Sequence, residues 1–283
     1  MKSRVILALL ASSIAPAAFA VTTIDAGNHY AYGANLGWVD WRGDTTNGAV
    51  MGEYVCSGYL YSANVGWINL GSGSPANGIS YQNNSATDFG VNNDGAGNLS
   101  GYAYGANIGW IAFETNGAPQ INLKTGAFSG SVYSANCGWI SLSNSFAYVQ
   151  TDTLYYGPFD TNGLPIPWEL SNFGTTGVNP NADPDKDGRS NLEEFLAGTN
   201  PNNANSNLRI TGYQYDLDNS VTWSSVLTRL YYVRQSTNLT FSNWVDSSLG
   251  EITPDGASTT VMVAGTNSPQ KYYRVEAVLP LYP

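Results

Sequence analysis

Four copies of one thirteen-residue stretch constrain this chain more than any other feature: HYAYGANLGWVDW at 29–41, GYLYSANVGWINL at 58–70, GYAYGANIGWIAF at 101–113 and GSVYSANCGWISL at 130–142. The tryptophans they share, Trp38, Trp67, Trp110 and Trp139, are spaced 29, 43 and 29 residues apart, so the array is a doubled pair. Repetition on this scale implies a stacked or radially repeated structure. Each copy alternates with a period of two around an Asn-x-Gly step, where the Asn amide can hydrogen-bond nearby backbone and Gly accepts positive φ. In the fourth copy the turn signals leave short strands over 120–123, 128–134 and 139–142, so each copy is expected to be a small antiparallel meander. On its last strand Trp139 and Ser141 face one way, Ile140 and Leu142 the other.

Around this array the texture of the chain changes twice. Residues 1–20 carry Lys2 and Arg4, an apolar run and the small-residue end Ala18-Phe19-Ala20, the pattern of a secretory signal cleaved after Ala20. The apolar run is interrupted by Ser12, Ser13 and Pro16 and falls short of the ~20 residues a spanning helix needs, and no later segment reads as a membrane span. The β-repeat domain is expected over 21–150. Residues 151–206 turn to Pro, Asn and Asp punctuation around two short helical candidates, PWELSNFG and SNLEEFLAG. From 207 to 283 strand-like runs return, as in a small β-sandwich. The fold class is therefore all-β: repeated antiparallel meanders and a C-terminal sandwich joined by a short helical module. Whether the meanders stack as a sandwich, propeller or solenoid stays open.

The formal net charge is −10, becomes −12 on loss of Lys2 and Arg4, and accompanies a pI near 4.3. Such a chain repels phosphate-rich partners, which removes nucleic acid and anionic membrane from consideration. Cys56 and Cys137, an even pair in an exported chain, are candidates for a disulfide that would stabilise by about 4 kcal/mol through loop closure; two buried thiols are the alternative.

The sharpest chemical motif is DPDKDGRSNLEE, Asp183 to Glu194. Asp183, Asp185 and Asp187 stand at positions one, three and five, Gly188 at six, Asn191 at nine and Glu194 at twelve, with Arg189 offering its backbone carbonyl. A hard cation takes six to eight oxygens, so alternate side chains point inward, glycine turns the chain and the last carboxylate binds with both oxygens. Calcium is the expected cofactor, in a structural role. Counting back from Glu169 finds a degenerate loop with Asp160 and Asn162 in register but Pro158 and Ile166 where ligands belong, a candidate second metal loop.

The stretch from Asp160 to Pro201 resembles the thrombospondin type 3-like segments near the C-termini of many secreted bacterial proteins, in which two acidic loops each lead into a short helix. The region with YYVRQSTNL, NWVDSS and KYYRVEAV resembles the small closing β-domain of exported proteins of the Verrucomicrobia type. These resemblances imply a setting and a fold, with calcium as ligand, but no activity. The G-W-I copies resemble repeats of bacterial exported proteins with no assigned chemistry.

No catalytic constellation is legible. His29 is the only histidine and has no nucleophile in a recognisable signature, which disfavours triads and zinc alike; a surface or edge position is expected. The carboxylates Asp25, Asp40, Asp44, Glu53, Asp88, Asp94 and Glu114 do not recur between copies, so they read as solvated groups, with a glycosidase pair as the alternative. The four repeated tryptophans are expected to fill the core. Tyr32, Trp41, Tyr61 and Tyr104 are the candidate ligand-binding aromatics, suited to sugar rings or a protein partner. The expected function is that of a secreted, calcium-stabilised, non-catalytic surface, matrix or adhesion protein partnered by polysaccharide or another surface protein. A carbohydrate-binding protein is the alternative, and an unrecognised glycoside hydrolase the second alternative.

Overall fold

The computed structural model describes residues 22–215, 219–239, 244–263 and 271–283; the expected signal segment, residues 1–20, lies outside them. The chain divides into two compact units, one holding the described residues through Gly177 together with Leu281–Pro283, the other Val178–Pro280. The boundary between the two, at Gly177/Val178, falls within the expected linker over 151–206, with the acidic loop on its C-terminal side.

Each repeat forms a hairpin: β1 Ile24–Gly33 with β2 Gly37–Asp40, β3 Ser57–Ser62 with β4 Gly66–Ser72, β6 Leu99–Gly105 with β7 Gly109–Phe113, and β10 Ser131–Ser134 with β11 Gly138–Ser141. Successive hairpins pair antiparallel, and β11 returns to β1 through Tyr32↔Ser141 and Gly33↔Ile140. The eight strands therefore close into a barrel-like sheet, which leaves no exposed edge within the ring. Two short strands attach outside it, β5 Val91–Asn93 on β6 and β12 Val149–Thr151 on β1. The three-stranded meander expected of each copy resolves into a two-stranded hairpin; in the fourth copy Gly130, at φ +82°, breaks the middle strand into β9 Phe128–Ser129, which pairs with β8 Gln120–Ile121, and β10.

The turns explain why the sequence repeats. The Asn35 side chain donates to the Cys137 carbonyl, Asn64 to Leu36, Asn107 to Val65 and Asn136 to Ile108, at 2.8–3.2 Å, so each hairpin is tied to the preceding one and the four bonds form a closed ring. The following glycines sit at φ +82°, +78°, +73° and +78°, which side-chain-bearing residues rarely adopt. Asn64→Ala removes one link and leaves the Leu36 carbonyl without that donor. It is expected to lower stability by about 1 kcal/mol, seen as a reduced urea midpoint at unchanged slope; an unaltered midpoint would mean the ring contributes nothing.

Alternation then sorts the side chains. Val39, Ile68, Ile111 and Ile140 point inward beside Ala31, Leu60, Ala103 and Val132, all buried. An eight-stranded barrel is just wide enough for such side chains to fill. It has no room for four indoles, and Trp38, Trp67, Trp110 and Trp139 lie outside, 46–49% exposed, which corrects their assignment to the core. Trp41 is corrected in the opposite sense: expected as a displayed aromatic, it is 1% exposed and packs edge-on against Phe128 at 5.2 Å.

Of the two alternatives for the cysteines, the structure shows the unpaired one. Cys56 and Cys137 are free thiols, because Cys137 sits in a hairpin turn whereas Cys56 precedes β3, a six-residue strand of about 20 Å that runs toward the turn end. Burial pushes the Cys56 thiol up to about 12, leaving it inert.

In the C-terminal unit, β13 Ile210–Gln214, β14 Ser220–Ser224 and β17 Ser258–Met262 make one sheet, and β15 Leu230–Ser236, β16 Val245–Asp246 and β18 Tyr272–Val278 a second. Val221 and Trp223 from the first share a core with Tyr231, Val233, Val275 and Ala277 from the second, as expected of a sandwich. The helices α1 Ile166–Phe173 and α2 Asn191–Ala197 fall on the two helical candidates, each stopped by a left-handed glycine, Gly174 or Gly198. Among the described residues no helix is long and apolar enough to cross a membrane.

Candidate functional site

Two features concentrate chemistry. The first is the acidic loop before α2. Gly188, at φ +91°, and Lys186, at φ +64°, curl the chain back on itself. The Asp183 carboxylate accepts the Lys186 and Gly188 amides at 2.8 and 2.9 Å, Asp185 accepts the Asp187 amide at 3.2 Å, and Asp187 the Arg189 amide at 2.8 Å. These bonds hold one carboxylate oxygen from each of Asp183, Asp185 and Asp187 within 4.8 Å of one another. Asn191 is fixed by its amide nitrogen, which donates to the Asn179 carbonyl at 2.9 Å. A capping box then starts α2, Ser190 accepting from the Glu193 amide while the Glu193 carboxylate accepts from the Ser190 amide, and this carries Glu194 inward to full burial. The Arg189 guanidinium, in the loop just before α2, lies 3.7 Å from Glu193 in the first turn of that helix.

The result is a set of buried oxygens without a hydrogen-bond partner: Asp185 Oδ2, Asp187 Oδ2, Asn191 Oδ1 and both oxygens of Glu194. Leaving one such group unsatisfied costs about 1–3 kcal/mol, and native interiors rarely tolerate several together. Burial, with Asp185, Asp187 and Asp183 adding repulsion, pushes the Glu194 carboxyl up to about 7; the Thr199 hydroxyl pulls the other way but makes no hydrogen bond of normal geometry. All-oxygen donors spaced along a short loop, with one buried carboxylate opposite, have the composition a hard divalent cation takes and a softer metal does not.

The degenerate loop is built differently. The Asp160 carboxylate accepts the Asn162 amide at 2.9 Å, Asn162 Oδ1 accepts the Leu164 amide at 2.8 Å, and Asn162 Nδ2 donates to Glu169 Oε1 at 3.0 Å. The Asn162 amide group thus links the Asp160 turn to Glu169, engaging Oε1 of that fully buried residue, and the loop offers two carboxylates where the Asp183 loop with Glu194 offers four.

The second feature is the outer face of the barrel. Tyr32–Trp38, Tyr61–Trp67 and Tyr104–Trp110 are cross-strand pairs with ring centroids 4.9 Å apart, and Tyr133–Trp139 is the same pair at 5.1 Å. Tyr30, Tyr59 and Tyr102 extend the belt diagonally, at 6.0–6.4 Å from the indoles. Of the four candidate ligand aromatics, Tyr32, Tyr61 and Tyr104 stand in this belt and Trp41 does not. Sequence reasoning missed Phe89, which stacks on the third pair; the signal was the 43-residue interval between the second and third tryptophans, whose excess length had to go somewhere on the surface.

His29 is half-buried, its Nδ1 2.7 Å from Asp40 Oδ1, a pair that anchors the first hairpin. Asp25 and Asp152 approach each other. Asp152 is raised by burial and by the Asp25 charge, whereas for Asp25 desolvation, the largest single influence, is outweighed by the summed bonds from Asn28, Gly27 and Asp152, which hold it low. The four Asp25 and Asp152 oxygens lie at a strand end, with Asp152 exposed. Compared with known proteins, the chain finds no match among family models, curated sequences or solved structures.

Proposed function

We propose that this chain is an exported, non-catalytic surface or matrix protein that adheres through the aromatic belt of its barrel, and that calcium held by Asp183, Asp185, Asp187, the Arg189 carbonyl, Asn191 and Glu194 stabilises the C-terminal unit. The observation that carries the reading is the outward display of four equivalent Tyr–Trp pairs. A soluble domain gains nothing in folding from leaving so many large aromatics in water, and contiguous apolar surface of this kind marks interaction sites. Tyrosine and tryptophan combine large rigid faces with hydrogen-bonding tips, the residue chemistry of binding hot spots. The acidic chain has surfaces unsuited to nucleic acid, which leaves neutral polysaccharide or another surface protein as partner.

The test is adsorption of the full chain to cells and extracellular matrix of the producing organism. A Trp38→Ala, Trp67→Ala, Trp139→Ala triple variant is expected to lose at least tenfold in retention while still unfolding in a single cooperative transition well above the assay temperature. Retention unchanged in the folded variant would refute the belt as the adhesive face.

A carbohydrate-binding role is the second reading, favoured by one observation: at the third hairpin the belt ceases to be convex and becomes a cleft.

A further inference from the structure

The excess chain between the second and third repeats folds back over the barrel. Gly101 makes the approach feasible: at φ +96°, a Cβ there would lie 2.4 Å from the Gly90 carbonyl and 2.7 Å from the Asn83 amide nitrogen. Buried Asp88 clamps the segment by accepting the Ala76 and Gln82 amides at 3.1 and 3.2 Å. Asn83, itself at φ +55°, accepts the Gly90 amide at 3.0 Å, and Ser85 accepts the Asp88 amide at 3.1 Å. The segment is therefore a preorganised wall. It places Phe89 edge-on to Trp110, with centroids 5.1 Å apart at 83°, and to Tyr104 at 6.3 Å and 71°. Among the described residues neither Trp38, Trp67 nor Trp139 has an aromatic neighbour in an equivalent position.

Between wall and belt lies an open cleft of about 460 Å³ lined by Asn83, Asn84, Ser85, Phe89, Tyr102 and Trp110. Its size is that of a small-molecule site, ~300–1,000 Å³. One side is aromatic, the other amide and hydroxyl, and no lining residue carries a charge. A pyranose ring has the matching form: apolar C–H faces that lie on an aromatic ring, and a perimeter of hydroxyls that donate to and accept from Asn and Ser. The uncharged lining in a chain of net charge −10 excludes the anionic sugars of acidic polymers. The open mouth lets a chain pass through rather than end there.

We propose that this cleft binds one neutral pyranose unit within a polysaccharide chain, Trp110, Tyr102 and Phe89 supplying the stacking faces and Asn84 and Ser85 the hydrogen bonds. The inference rests on the belt being the adhesive face and assigns its anchoring point and ligand class.

Affinity electrophoresis of the full chain in gels containing neutral glucan, mannan or galactan tests it, followed by titration calorimetry with whichever polymer retards migration. At least one polymer is expected to retard the parent. Trp110→Ala and Phe89→Ala are expected to weaken binding at least tenfold. Asn84→Ala, an exposed change that leaves the fold intact should the Phe89 variant misfold, is expected to weaken it several-fold. Phe146→Ala, an exposed aromatic outside belt and cleft, is the control. Losses of equal size from Trp38→Ala and Trp110→Ala would overturn the cleft while sustaining the belt. Absence of retardation by every neutral polymer, with tryptophan-dependent adsorption to cells intact, would overturn the sugar assignment in favour of a protein partner. Loss of both observations would remove the belt reading as well.

Discussion

If Asp183, Asp185, Asp187, Asn191 and Glu194 hold calcium as proposed, the ion stabilises the C-terminal unit thermally and Glu194→Gln is expected to erase that stabilisation. With ligand affinities of extracellular modules, Kd ~10⁻⁴–10⁻³ M, 10 mM calcium stands at roughly 10–100 Kd. A cation bound to the folded state alone then contributes about 1.4–2.7 kcal/mol. For a unit of about 100 residues each kcal/mol moves Tm by ~4–8 °C, so calorimetry of the parent should place the calcium-loaded unit ~10 °C above the chelated one. The variant keeps the volume and the capping box but loses the charged bidentate donor, and its two melts should coincide. Superimposable parent melts with calcium and with chelator would remove the metal from the account.

The same residue sets a pH dependence of definite sign in the metal-free chain. The folded Glu194 carboxyl titrates near 7 against an ordinary value of 4.5, so between those values the native state holds a proton that the unfolded chain has released. Stability from this group is complete below about 4.5 and is lost as pH rises through about 7. Calcium needs the carboxylate and reverses the trend. With chelator the Glu194 contribution should favour pH 5 over pH 8; with calcium the difference should shrink or invert.

Trp41→Ala and Trp38→Ala, three residues apart, are expected to differ by several-fold in cost. Trp41 is sealed in the core against Phe128, and truncating a buried aromatic to alanine costs ~3–5 kcal/mol through lost burial and the cavity left behind. Trp38 is half-exposed and loses chiefly its contact with Tyr32, about 0.5–1.5 kcal/mol. Urea denaturation monitored by circular dichroism reads both. Equal destabilisation, or a larger loss at Trp38, would show that the barrel is turned inside out relative to this description.

That pair also marks where sequence reasoning failed. Alternation assigns Trp139 and Ile140 to opposite faces correctly, yet parity alone does not say which face is wet. Reading the bulkier set as core follows from the large area an indole buries, but that argument assumes a core with room. Closure of eight short strands through β11 and β1 fixes an interior that β-branched and small side chains already fill, and the indoles are left outside. Trp41 shares the parity of Val39 and stands where Leu70, Phe113 and Leu142 stand in the other copies, all of them buried, so the same alternation that leaves Trp38 outside puts Trp41 inside.

The acidic loop was legible because its donors fall within twelve consecutive residues: glycine conformation, turn hydrogen bonds and a helix cap bring them together with little help from the rest of the fold. The cleft was illegible because Phe89 and Trp110 meet only after an insertion crosses a strand of a closed sheet. The local chemistry of this protein, its turns, helix ends, strand alternation and spaced carboxylates, is thus determined by sequence alone, since each depends on neighbours a few residues away. Which face of the sheet meets water, which cysteines can meet, and where a concave surface forms were decided by tertiary structure, because each depends on the radius and closure of the barrel rather than on any one segment of it.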